Sequence, residues 1–90
     1  MLFRSIEDKR ITQLAFLNRL HANERITIRT LAKTNPQIED YISMLQAAKW
    51  VDLANADTRG GILFMEHAGI LSTGRATEIL DNPVQDSERP

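Results

Sequence analysis

ITIRTLAKTNPQIEDYISML, residues 26–45, is the stretch on which the reading of this chain turns. At its centre Asn35-Pro36 marks a helix start. Asparagine is a strong N-cap, and proline fits the first helical position, where its missing amide proton costs nothing. Ile38, Tyr41, Ile42, Leu45 and Ala48 then recur at helical spacing, so a helix should run from here to about Lys49-Trp50. Before the turn, Ile26 and Ile28 alternate as in one short strand or an extended lead-in, and Thr27 can cap a short helix carrying Leu31 and Ala32. Two short helices joined by a tight turn outline a DNA-reading motif. Yet the second helix shows Glu39 and Asp40 where a DNA reader usually shows arginine, asparagine or glutamine.

Working outward toward the N-terminus, Ser5 and Asp8 form a weak capping box, and the helix it opens is expected to continue through IEDKRITQLAFLNRLHAN. Ile6, Leu14, Leu17 and Leu20 share one face of that helix, with Ile11 and Ala15 to one side and Phe16 to the other. So wide an apolar surface is either wrapped by later elements or buried against a second copy of the chain.

Toward the C-terminus the period changes. WVDLA and GILFM are short runs rich in β-branched and aromatic residues, separated by NADTRGG, which suits a turn; residues 50–65 are therefore expected to form a hairpin. EHAGI is either a strand continuation or a turn. In LSTGRATEIL, Ser72 or Thr73 can cap a last short helix that places Ala76, Ile79 and Leu80 inward. The segment after Asp81 holds two prolines and one aliphatic residue, so residues 82–90 are expected to form a flexible tail behind a single domain of residues 1–81.

Composition narrows the function classes. Ninety residues support one modest core. No apolar run approaches the roughly 20 residues of a membrane span, and MLFRSIEDKR lacks a signal-peptide core. The absence of cysteine removes disulfides and thiolate zinc sites, and fits a reducing, cytoplasmic setting. Net charge is −1, and without Asp86, Glu88 and Arg89 ten basic side chains balance ten acidic ones. A nucleic-acid ligand would then depend on local clustering of positive charge.

The order helix, short strand, helix, turn, helix, hairpin, closing helix resembles the winged helix-turn-helix superfamily of small bacterial and phage regulators. ITIRTLAKT is similar to the lead-in and second helix of such proteins. Ala32 takes the place of the alanine that lets the two motif helices approach, and Ile42 and Leu45 that of the apolar pair packing back on it. LQAAKWVDL resembles the passage into the first wing strand, and ILSTGRATEIL the segment where the wing ends. Pro36 and Gln37 depart from the family's glycine and apolar residue in the turn. The resemblance implies an α+β, mainly helical winged helix: a three-helix core, a β wing of two or three strands, and a short closing helix.

Two functions follow from it as expectations. In the first, the chain is a DNA-binding transcriptional regulator acting as a homodimer on double-stranded DNA through Arg29, Thr30, Lys33, Gln37, Ser43, Gln46 and Arg59. Residues 25–38 contain no acid, and Arg25, Arg29 and Lys33 are evenly spaced along them. In the alternative, Glu39, Asp40 and Ala47 on the third-helix face meet a basic protein partner. Enzymatic chemistry is not expected, because Glu39 and Asp40 are adjacent and diverge by about 100° on a helix. His21 and His67 lack a second ligand at metal spacing, and TRGG lacks the rest of a phosphate loop, so neither a metal nor a small-molecule cofactor is expected. Trp50 is either an anchor where the helix meets the wing or an exposed contact residue.

Overall fold

A computed structural model describes residues 8–90, a mainly helical α+β domain of five helices and a two-stranded antiparallel sheet. The chain enters through β1 (Arg10–Ile11), which pairs Arg10 with Asp52 and Ile11 with Val51 of β2 (Val51–Asp52). Ile11, Val51 and Leu53 are all buried, so this short sheet carries core residues despite its size. Arg10 lies over the Trp50 ring, 4.8 Å from its centroid, and fastens the edge of the pair.

The first helix differs from expectation. Ser5 and Ile6 lie outside the described residues, and Asp8 forms an ion pair with Arg10. The helical run is α1 (Gln13–Arg19), seven residues long and capped by Thr12, whose Oγ1 accepts from the Ala15 amide at 3.0 Å. Ala15 and Phe16 point inward, while Leu14 is 66% exposed. At Leu20 the backbone turns extended, and a new helix, α2 (Ala22–Ala32), begins after His21. Glu24 fixes that start: its carboxylate accepts the His21 amide at 2.7 Å, the return half of a capping box.

Residues 26–28 are accordingly helix and not strand, and Thr27 lies inside α2 instead of capping it. Ile28 is buried and Ile26 is 65% exposed, as a helix turning 100° per residue requires, whereas strand alternation would put both on one face. Lys33, Thr34 and Asn35 form the turn, and α3 (Pro36–Ala47) follows as expected. Asn35 Oδ1 accepts from the amides of Gln37 and Ile38 with Pro36 in the first turn. Ile38 is buried; Ala32, Ile42 and Leu45 are half-buried and pack against the same core. The Gln13 side-chain amide closes the far end of α3 by donating to the carbonyls of Leu45, Gln46 and Ala48.

The largest correction falls on residues 50–65. Instead of a hairpin, β2 is followed by α4 (Ala56–His67), and the only partner of β2 among the described residues is β1. Asn55, expected within a turn, is an N-cap that accepts from the amides of Asp57 and Thr58. Thr58, Ile62 and Met65 then form a buried helical stripe. Gly61 is tolerated in mid-helix because the Tyr41 ring of α3 lies against it. A Cβ there would stand 2.5 Å from Tyr41 Cδ1 and closer still to Cε1 and Cζ. The expected wing strand is thus a helix that packs on α3.

After α4 the chain reverses at Gly69, whose φ of +83° is open to glycine at little cost. The ambiguous EHAGI segment is therefore the end of α4 and its turn. The closing helix α5 (Arg75–Asp81) buries Ala76, Ile79 and Leu80 as expected, though its N-cap is Gly74 and not Ser72 or Thr73. Glu66 supplies the missing cap by accepting the Ala76 amide at 2.7 Å.

Residues 82–90, read from composition as a flexible tail, run back along α1. They end in a 3-10 turn at Asp86–Glu88, and the Glu88 carbonyl accepts the Thr12 amide at 2.8 Å. Arg19 explains the docking. Its guanidinium donates to both carboxylate oxygens of Glu88 and to the carbonyls of Ile79, Asn82 and Pro83. No described helix is long and apolar enough to cross a membrane.

Candidate functional site: two clefts flanking the third helix

One side of α3 faces α4 across a cleft of about 460 Å³. Buried Ile38 and Met65 form its floor, and Phe64, 45% exposed, forms a wall. Tyr41 also lines the space. Its hydroxyl donates to the Thr58 carbonyl at 2.8 Å, and burial pushes its phenol above the ordinary range, so it stays neutral and fixed. Gly60 offers no side chain and Gly61 none that would displace the ring, which leaves α4 backbone accessible beside Phe64.

The polar groups here share one sign. Asp40, from the first half of α3, and Asp57, from the first turn of α4, are exposed and line the cleft with Gln37. Neither carboxylate has an ion-pair partner among the described residues. Two uncompensated carboxylates beside an aromatic wall and an apolar floor form a surface for a cationic, partly apolar group.

Toward the C-terminal half of α3 a smaller cleft, about 70 Å³ in volume, opens between α1, α2, α3 and α4 and shares Tyr41 and Met65 with the first. Its lining is almost wholly aliphatic and aromatic, and its rim carries Gln13, Arg25, Arg29 and Gln46. Arg25 is held there because its Nη1 donates to the carbonyls of Leu17 and Leu20 at 3.0 and 2.8 Å, closing the C-terminal end of α1.

The residues expected to contact DNA are distributed over α2, the turn after it, α3 and α4. Arg29 and Thr30 lie exposed on α2 and Lys33 in the turn that follows, with the Thr30 hydroxyl turned back to the Ile26 carbonyl. Gln46 joins Arg29 at the rim of the small cleft, whereas Gln37 belongs to the large one. Ser43 Oγ donates to Glu39 Oε2 at 3.2 Å. Arg59 is on α4 instead of a wing tip, and it pairs with Asp81 at 2.9 Å while donating to the Leu53 carbonyl. Glu39, Asp40 and Ala47 are exposed on α3, and of these Asp40 enters the large cleft.

Asp57, Tyr41 and Phe64 were not singled out from sequence as binding residues. The signal for them was Asn55 as a cap followed by Thr58, Ile62 and Met65 at helical spacing, which brings Asp57 and Phe64 onto one helical element facing α3. Two part-buried ion pairs were equally invisible. Arg75 holds both carboxylate oxygens of Glu24 and the Arg19 carbonyl, joining α5 to α2, and that hydrogen bonding keeps the Glu24 carboxyl below its usual range. Arg19 does the same to Glu88. Among the described residues no three histidine, aspartate or glutamate side chains converge as metal ligands would. Comparison with family models, with curated proteins and with solved structures gives no significant match, so the site's chemistry stands on its own geometry.

Proposed function

We propose that this chain is a small protein-recognition module whose α3–α4 cleft takes a basic, partly apolar segment of a partner protein. The observation that carries the reading is the pair of unpartnered carboxylates, Asp40 and Asp57, set on two different helices around Tyr41 and Phe64. A cationic side chain would sit between the carboxylates, and an aliphatic neighbour would pack on Phe64 above Ile38 and Met65. Exposed charge pairs contribute about 0.2–1 kcal/mol each. Two of them correspond to roughly a 2- to 30-fold effect on affinity.

The test is a titration of the ¹⁵N-labelled chain with an amphipathic peptide bearing arginine and leucine, and with its glutamate counterpart. The arginine peptide should shift amides of residues 37–41 and 56–65, and the Asp40→Asn, Asp57→Asn double variant should weaken it within the range above. Equal response to both peptides, or an unchanged affinity in the double variant, defeats the reading.

A second reading keeps the DNA-binding expectation and rests on one observation. Exposed Arg29, in the last turn of α2, and exposed Lys33, which opens the three-residue turn into α3, stand four residues apart with no ion-pair partner among the described residues. Kinship with winged helices would rest on this α2–turn–α3 unit, without a hairpin at residues 50–65. The acidic α3 face and the engaged Arg59 weigh against it. Three or so phosphate contacts would make affinity fall by nearly one log unit per contact for each tenfold rise in salt. A duplex titration at two salt concentrations decides: no shift at low salt removes this reading.

A further inference from the structure

We infer that the small cleft between α1, α2 and α3 is a second binding site, which takes a branched aliphatic side chain from an acidic amphipathic segment of a partner protein. The inference is independent of the α3–α4 cleft and goes beyond it. Phe16, Leu20 and Ile28 line the floor, and half-buried Leu17, Ile42 and Leu45 the walls. With a volume of about 70 Å³ the space is about half that of the engineered apolar cavity of roughly 150 Å³ that accepts benzene. It suits one leucine, isoleucine or valine side chain and excludes a ring system. Water gains little there, because a stable buried water needs two or more polar partners and the walls are hydrocarbon.

The rim decides the charge of the occupant. Gln13 spends its amide on the end of α3, so it cannot turn inward to fill the cleft. Arg25 is held over the opening by the Leu17 and Leu20 carbonyls through Nη1 alone. Arg29, one turn further along α2, also lines the cleft, and exposed Lys33 follows a turn later. Neither Arg29 nor Lys33 has an ion-pair partner among the described residues. Glu39, seven residues before Gln46 on α3, is the acid on that flank of the helix, and its carboxylate takes the Ser43 hydroxyl. A helix that inserts one aliphatic residue therefore meets two or three cations spaced one turn apart. Carboxylates at the i−4 and i+4 positions of the occupant match that spacing. Since Tyr41 and Met65 line both clefts, a basic and an acidic segment would bind side by side along α3.

The experiment uses the full chain, ¹³C-labelled at leucine, isoleucine and valine methyls. Its probes are a helical peptide with leucine at every third or fourth position and glutamate between, the same peptide with lysine for glutamate, and a duplex DNA. The glutamate peptide should shift the methyls of Leu17, Ile42 and Leu45, the lysine peptide should not, and Arg29→Glu with Lys33→Glu should reverse that preference by at least tenfold. Leu17→Phe, which fills the cleft and leaves the rim charges in place, should abolish the shifts while the α3–α4 cleft keeps its own ligand. The proposal is overturned if both peptides act alike, or if the charge reversal changes nothing. It is also overturned if these methyls respond only to DNA, or to protein concentration alone, which would make a second copy the occupant.

Discussion

Replacing Gly61 by alanine should destabilise this chain, whereas the same change one residue earlier should stabilise it. Glycine in a helix interior is disfavoured relative to alanine by about 0.8–1 kcal/mol, so propensity alone favours both substitutions. At Gly60 nothing lies within 4 Å of the added Cβ, and the gain is retained. At Gly61 the Cβ meets the Tyr41 ring edge at 2.5 Å or less, far inside contact distance, and the ring must move. Overpacking of this kind costs roughly 1–3 kcal/mol. Moving the ring also breaks the hydroxyl's 2.8 Å bond to the Thr58 carbonyl, the group that ties α3 to the first turn of α4. A net hydrogen bond is worth about 1 kcal/mol. The sum, less the propensity gain, is a loss of about 1–3 kcal/mol for Gly61→Ala, against a gain of up to about 1 kcal/mol for Gly60→Ala.

Urea denaturation followed by far-ultraviolet circular dichroism measures both. The decisive control is Tyr41→Leu, which removes Cε1 and Cζ. In that background Gly61→Ala should cost much less, so the double-mutant cycle should show a coupling above 1 kcal/mol, as expected for residues in direct contact. If both glycine variants shift stability with the same sign, or if the cycle shows no coupling, α4 does not pack on Tyr41 as described. A hairpin through residues 50–65 would then regain its case.

Other outcomes follow from the ion pairs and caps. Glu24 and Glu88 have carboxyls held below their ordinary value of 4.5 by hydrogen bonds from Arg75 and Arg19. Their stabilisation is therefore fully present above about pH 4.5 and lost as pH falls through the depressed folded-state values; Glu24→Gln should flatten the acid limb of a pH–stability curve. Arg19→Met leaves Glu88 and three carbonyls without their donor, which should cost roughly 2–3 kcal/mol and expose residues 82–90 to limited proteolysis. Arg19→Lys should rescue little of this, since an ammonium cannot reproduce the planar fork. Asn35→Ala should cost about 1 kcal/mol by removing the acceptor at the start of α3, measurable by the same urea titration.

Where a local rule and the tertiary environment agree, the sequence was readable. Asn35-Pro36 announces α3 because cap and first-turn preferences are local, and Ala76, Ile79 and Leu80 face inward because their spacing admits one face. Two passages misled for opposite reasons. Residues 26–28 alternate apolar and polar, but three residues cannot separate a period of 2 from 3.6 when one isoleucine is exposed. At residues 55–61, asparagine, aspartate and two glycines have turn composition, yet Asn55 caps a helix and Gly61 makes room for a ring from another element. Local propensity was overridden there by a contact 20 residues away in sequence. The break at Leu20 was hidden likewise, because Arg25 stabilises it by reaching back to carbonyls that a continuous helix would have used.

The binding surfaces were harder to read than the helices, since a charge matters only after its internal partners are known. From sequence, Arg29, Lys33 and Arg59 are expected to contact DNA together, and Glu39 and Asp40 to face a basic partner together. In the folded chain Arg19, Arg59 and Arg75 form ion pairs and Arg25 closes a helix end, leaving Arg29 and Lys33 exposed on one flank. Glu24, Asp81 and Glu88 are the carboxylates consumed in return, leaving Asp40 and Asp57 on the other. A net charge of −1 is thus the remainder of internal pairing and says little about the surface. The sites separate by sign because the arginines that hold the tail, α4 and α5 in place use up nearby carboxylates. Neutralising Arg59 should therefore release Asp81 near α4 and strengthen the large cleft's preference for cations, while loss of Arg29 should leave that preference unchanged. Parallel titrations of Arg59→Gln and Arg29→Gln with the arginine peptide test that separation directly, and equal effects of the two would show that the flanks are not electrostatically distinct.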